Sequence, residues 1–156
     1  MLSTVVRLTA IIWLLPATLA LAHTDCAPGV VKERCDLMER QADDMKIIGD
    51  MAKGKTPLDA VKAAEAARDI GVTAKKIHEL FPEGSGGGKS EALPAIWEHW
   101  DDFTAKADDL GKAAETLAAA LDGGDPDWKG AFQGVSDACK ACHQDYRKKK
   151  EKKAQP

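Results

Sequence analysis

The 156-residue chain contains little that would build a β-sheet. Aromatic residues make up 5% of it, and β-branched runs are scarce beyond the first dozen positions. Ala and long charged residues dominate instead, which points to an all-helical domain. Charge of one sign is also missing. There are 22 Lys and Arg against 25 Asp and Glu, a formal net charge of −3, which argues against a dedicated nucleic-acid binder. Glycine (13) and proline (7) are too few for collagen-like or Pro-rich disordered classes. After the N-terminus there is no second long apolar run, so no stable membrane insertion is expected. The length allows one domain and hardly two.

The first segment reads as a leader. Met1 to Arg7 holds one positive charge, Leu8 to Leu15 is a short apolar run, and Ala20-Leu21-Ala22 follows Pro16. This is the pattern of a secretory signal peptide over residues 1–22, cut before His23. The apolar run is short for a membrane span and lacks a stop-transfer flank. The remaining residues, 23–156, form one exported domain in an oxidising compartment where disulfides persist.

That domain divides into four helical patterns with a 3/4 apolar step. Helix A starts after Pro28-Gly29 and runs towards Gly54, with a seam of Val31, Cys35, Met38, Ala42, Met45, Gly49 and Ala52. Helix B opens with Thr56 as N-cap, Pro57 at N1 and Asp59 at N3. Its seam is Ala63, Ala67, Ile70, Ala74, Ile77 and Phe81. Helix C repeats Ile96, Trp100, Phe103, Ala107, Leu110, Ala114, Leu117 and Leu121, and Gly123-Gly124 stops it. Helix D begins at Asp125-Pro126 and repeats Trp128, Phe132, Val135, Cys139, Cys142 and Tyr146. Short connections between such segments describe an antiparallel four-helix bundle. The seams are lean, so the bundle either packs very closely or encloses something large. Between helices B and C, Glu83 to Ser90 is a near miss to a phosphate loop. Its first glycine position is Glu83 and no strand precedes it, so it reads as a flexible connection.

Cys139-Lys140-Ala141-Cys142-His143 is C-x-x-C-H, the c-type haem attachment signature. On a helix, Cys139 and Cys142 lie at i and i+3, so both thiols reach one porphyrin edge. His143 stands four residues after Cys139, so its imidazole can face the iron. A thioredoxin-like pair would need a βαβ setting, and a zinc site would need a second Cys or His pair; neither is present. His78 and His99 are isolated and read as ordinary helix residues.

A C-x-x-C-H near the C-terminus, on the last helix of a bundle, resembles the class II c-type cytochromes. These comprise the cytochrome c-prime proteins and their low-spin c-556-type relatives. Val30 to Arg34 with Met38, Leu80 to Ser85, Ala92 to Trp97 and Cys139 to Arg147 carry the resemblance. It spans about Gly29 to Arg147 and implies one covalent haem c in the bundle core, near the C-terminal helix, in a periplasmic protein. In these relatives an Arg is followed four residues later by the residue that sets the distal face of the iron. Met there ligates the iron; a non-ligating residue leaves it five-coordinate and open to small gases. Arg34 to Met38 matches that interval, so the resemblance implies Met38 as sixth ligand opposite His143. Met45 is the reserve: it lies on the same helical stripe about 10 Å further along at 1.5 Å per residue, and spacing alone does not separate it from Met38.

His/Met ligation suits a single-electron carrier rather than an enzyme, and no catalytic residues are expected. The alternatives are a five-coordinate protein binding nitric oxide or carbon monoxide, and a bundle without haem. The resemblance also implies that Arg147 lies near the proximal side of the haem. Arg147 to Lys153 holds six basic residues and one acidic. This basic tail is a solvated run by default and a docking element for an acidic redox partner protein by function. Cys26 and Cys35 are spare cysteines: an exported chain suits a disulfide between them, and the seam position of Cys35 equally suits a buried free thiol. The pattern is compatible with a homodimer through helices A and B. N-terminal sequencing of the protein secreted with its leader should read His23-Thr24-Asp25; an intact Met1 terminus would remove the signal-peptide assignment.

Overall fold

The computed structural model describes residues 28–149; the leader, Cys26 and the tail beyond Lys149 lie outside the described residues. Five α-helices follow in order: α1 (Val30–Ala52), α2 (Ala60–Ala74), α3 (Ala95–Glu98), α4 (Trp100–Asp122) and α5 (Trp128–Tyr146). A 3-10 turn spans His78–Leu80. The four long helices form the expected antiparallel bundle, and among the described residues there is no strand, only an isolated bridge between Ala92 and Arg147. No described helix is long and apolar enough to cross a membrane.

Helix boundaries follow local chemistry. Gly29 begins α1 at φ 81° and Gly54 ends its turn at φ 69°, a left-handed region that favours glycine. The start of α2 differs from expectation. Thr56 donates its N–H to the Asp50 carbonyl (3.3 Å) and belongs to the turn that closes α1. Asp59 is the N-cap instead, its carboxylate accepting from the Lys62 N–H at 3.0 Å. Likewise the Asp125 side chain accepts from the Asp127 N–H (2.8 Å) in a turn before α5, which starts at Trp128 rather than at Pro126. The helix C pattern is broken at His99 (φ −128°, ψ 48°) into α3 and α4. The register from Ile96 is not carried across that break, so Trp100 is 36% exposed and lies against Phe103 instead of entering the seam.

All six seam residues of helix B are buried, from Ala63 to Phe81, although Ile77 and Phe81 lie beyond the end of α2. In helix A the seam is rotated. Arg34, Leu37, Gln41, Ile48, Gly49 and Met51 are the buried residues. Ala42 is exposed, and Val31, Cys35, Met38, Met45 and Ala52 are half-buried. The apolar stripe faces the α5 side, where Gly49 lies under Phe132, whereas polar residues face α2: the Gln41 amide donates to the Thr73 hydroxyl at 3.0 Å. Counting only apolar positions therefore misses that side of the helix. Of the two alternatives the lean seam left open, close packing holds between α2 and α4. A Cβ on Gly71 would sit 3.7 Å from Ala114 and one on Gly111 3.9 Å from Ala74, so α2 and α4 approach closely. The α1 and α5 helices touch more sparingly than α1 with α2, α2 with α4 or α4 with α5, and between them lies a cavity.

A carboxyl pair crosses the α1–α2 seam. Asp69 forms an ion pair with Arg40, which holds its pKa low. Asp44 has a buried Oδ2 without a hydrogen-bond partner, and burial, then the neighbouring Asp69 carboxylate, push its pKa up to about 6. A carboxyl raised in the folded state binds a proton that the unfolded chain has released, so its contribution to stability is full at low pH and falls as pH rises from about 4 to about 6. In urea unfolding followed by circular dichroism, Asp44→Asn should gain stability relative to wild type as pH rises from 4 to 7. An equal difference at both pH values would contradict the Asp44 assignment.

Candidate haem site

The cavity at the α1–α5 seam has a volume of about 520 Å³. From α1 come Val31, Arg34, Cys35 and Met38, and from α5 come Cys142, His143 and Tyr146. The segment 89–92 with Arg147 forms one rim, and Ile77, Phe81, Ile96 and Phe103 form an apolar floor. Phe103 meets Phe81 and Tyr146 edge-on, with ring centroids 4.9 and 5.3 Å apart.

Arg34 is 5% exposed. It donates to the carbonyls of Leu80 and Ser85, the latter at 3.0 Å, and to the hydroxyls of Ser85 and Ser90. Its guanidinium lies 4.2 Å from the centroid of the Phe81 ring. Burial lowers its pKa, and no carboxylate among the described residues opposes that shift. A cation so placed on a cavity wall suits an anionic group of a bound molecule. The same bonds anchor the Gly-rich loop, which is therefore not the slack connection its composition suggests. Gly84, Gly87 and Gly88 take left-handed conformations, and a Cβ on Gly86 would come within 2.8 Å of the Trp97 ring.

Cys142 and His143 line the cavity, and Cys139 lies three residues earlier on the same helix, half-buried against the core. Burial raises both thiol pKa values, Cys142 to about 11, so neither has the acidic character of a redox or metal-thiolate cysteine. Partial burial, then the charge of Arg147, lowers the His143 pKa and favours the neutral imidazole that ligates metal. Arg147 lies on the rim and pairs with Glu91 at 2.6 Å. The Tyr146 hydroxyl donates to Asp102 at 2.5 Å; burial, then this bond, push its pKa up to about 12.

Met38 faces the cavity, whereas Met45 packs against the core away from it. Cys35 is disulfide-bonded, which excludes the free-thiol alternative; its candidate partner Cys26 lies outside the described residues. His78 sits 3.5 Å from Asp108 and His99 borders a separate groove, so neither joins the site. Among the described residues no cluster of three or more His, Cys, Asp or Glu gathers to hold a metal ion. Sequence reading did not single out the Arg34 anchoring network or the rim residues Lys89, Ser90 and Glu91. Arg34 was visible only as the start of the Arg-to-Met interval.

A ligand-sized cavity, a C-x-x-C-H on its wall and a buried cation beside it fit a covalently attached haem. Comparison with known proteins agrees. The family profile described as Cytochrome C' matches residues 29–147, and the chain belongs to that family. A cytochrome c-554 of Cereibacter sphaeroides is 40% identical over 124 residues, covering 77% of this chain and 93% of that protein. A cytochrome c-556 of Agrobacterium tumefaciens is 38% identical over 122 residues, covering 78% and 99%. The solved structure of cytochrome c prime from Shewanella frigidimarina superposes with a TM-score of 0.73 at 33% identity, covering 77% of this chain and 94% of that one. The protein is thus an electron-carrying or gas-binding haem protein with one covalent haem c.

Arg34→Lys keeps the charge but loses the planar fork. It should cost about 1–3 kcal/mol in urea unfolding through unpaired buried acceptors, with faster amide exchange confined to residues 80–90. Unchanged exchange in that segment would argue against the anchoring role.

Proposed function

We propose that the protein is a periplasmic carrier of single electrons, with His143 and Met38 as the ligands of its haem iron and Cys139 and Cys142 as the covalent tethers. The observation that supports this most is the placement of Met38 and His143 on different helices around one cavity, α1 and α5, with Met45 away from it. When bound, haem supplies a one-electron couple whose potential His/Met ligation raises. The chain's own residues do the rest. Neutral His143 offers a nitrogen lone pair and Met38 a thioether sulfur. Arg34 presents positive charge to the carboxylates of the haem periphery, and Phe81, Ile96 and Phe103 keep water from the floor. Because two protein side chains would be held on helices packed in the same bundle, little needs to rearrange when an electron arrives.

The second reading is a five-coordinate gas binder in which Met38 stands off the iron; the family profile and the Shewanella neighbour, both described as cytochrome c', favour it. Absorption spectra of the oxidised and reduced holoprotein, with and without carbon monoxide, separate the two. Low-spin bands unmoved by the gas are expected for wild type, and a high-spin spectrum that shifts with carbon monoxide for Met38→Leu. A wild-type spectrum that already shifts, or a Met38→Leu protein that stays six-coordinate, would overturn the Met38 assignment. Met45→Leu should leave the spectrum unchanged.

A further inference from the structure

The α1 wall of the cavity carries two sulfur atoms. Cys35 and Met38 both line it, while His143 lines it from α5. They stand three positions apart on one face of α1, with a rise of about 4.5 Å between them. Their chemistry differs. A thioether is a neutral donor that is always available, whereas a cysteine ligates a metal as its thiolate. Cys35 is held in a disulfide. The chain has four cysteines, and Cys139 and Cys142 are free, which leaves Cys26 as the partner. A disulfide sulfur has no proton to lose and no thiolate to offer. If the bond opens, the Cys35 thiol stands next to Arg34, the buried cation of the same wall. Glu91 is the one carboxylate among the lining residues, and Arg147 pairs with it. A negative sulfur on this wall therefore meets a cation and no unpaired anion.

Resting on the ligand reading above, we propose that Cys35 is a second distal ligand withheld by its disulfide, and that opening the disulfide replaces Met38 by Cys35 on the iron. A small dithiol supplies two electrons and two protons. The Cys26–Cys35 S–S bond breaks, two thiols form, and the reductant closes to its own disulfide. Cys35 then releases its proton to solvent as its sulfur takes the position left by the Met38 thioether. Cys35 is half-buried near the start of α1, where a small reductant can approach it. A thiolate pushes electron density onto the iron and favours the ferric state. The intact disulfide thus keeps the thioether pair, with its higher potential, in place.

The test compares wild type, Cys26→Ser and the Cys26→Ser, Cys35→Ser double variant as ferric holoproteins. Absorption and electron paramagnetic resonance read the ligand, and mass spectrometry after denaturation counts iodoacetamide adducts. Wild type should take no adduct and show thioether ligation. Monomeric Cys26→Ser should take one adduct, at Cys35, and show thiolate ligation before denaturation. Its ferric-over-ferrous preference should rise at least about tenfold, a fall in midpoint potential of about 59 mV or more for one electron. The double variant lacks the same cross-link but has no thiol, and should show no thiolate signature. Wild type treated with dithiothreitol should follow Cys26→Ser and take two adducts. This second route reads the proposal even if Cys26→Ser loads no haem, and the treated double variant controls for ligation by the reductant. Adducts on untreated wild type overturn the disulfide. A low-spin wild type whose opened Cys35 gives no thiolate signature overturns the ligand exchange alone. A high-spin wild type that shifts with carbon monoxide overturns the Met38 reading and the exchange together.

Discussion

The cavity end of the bundle depends on one buried guanidinium. Arg34 keeps its proton at any ordinary pH, so each of its donors needs an acceptor once α1 takes it out of water. Leu80, Ser85 and Ser90 supply those acceptors, and the segment between them has to fold around the side chain to do so. That places Ser90 to Ala92 on the cavity rim. The rim in turn pairs with 146–148, which fixes the end of α5 and the approach of the chain's basic residues. A glycine-rich sequence, adaptable in composition, is thus given one shape by a charge that has to be satisfied.

The opposite constraint operates between α2 and α4. Gly71, Ala74, Gly111 and Ala114 let these helices approach until their backbones nearly meet, and Ala63, Ala64 and Ala67 extend the narrow seam. Small residues there and large ones elsewhere make the bundle uneven: tight on one side, parted on the other. Four helices with equal side chains on every face would close along their whole length. Here the parted side is where Phe81, Phe103 and Tyr146 surround a cavity and where α5 presents Cys142 and His143. The α5 helix meets α4 broadly and α1 sparingly, so the face that carries Cys142 and His143 remains open to the cavity.

Charge is distributed with similar unevenness. The long helices are covered with short-range ion pairs such as Lys46–Asp50, Lys106–Asp102 and Lys112–Asp109, each close to neutral as a unit and contributing little stability by itself. At the cavity rim the basic residues Arg147 and Lys148 are held instead by contacts with residues 90 and 91, far away in the sequence. A net charge summed over the sequence hides this, because the sum carries no positions.

The sequence by itself determined the bundle class, the candidate haem-attachment residues and most of the α2, α4 and α5 seams, because apolar spacing and the C-x-x-C-H interval are local properties of a helix. It also narrowed the distal candidates to Met38 and Met45, which share one stripe and are indistinguishable by period. Only the tertiary structure decided which of them faces the cavity, that Arg34 and Gln41 belong to the interior, that Trp100 does not, and that the glycine-rich loop is anchored. The reason is physical. A polar side chain is buried when distant residues satisfy it, and a helical register survives only while the backbone stays helical; Leu80, Ser85 and Thr73 on one count, and the turn at His99 on the other, come into play once the chain has folded.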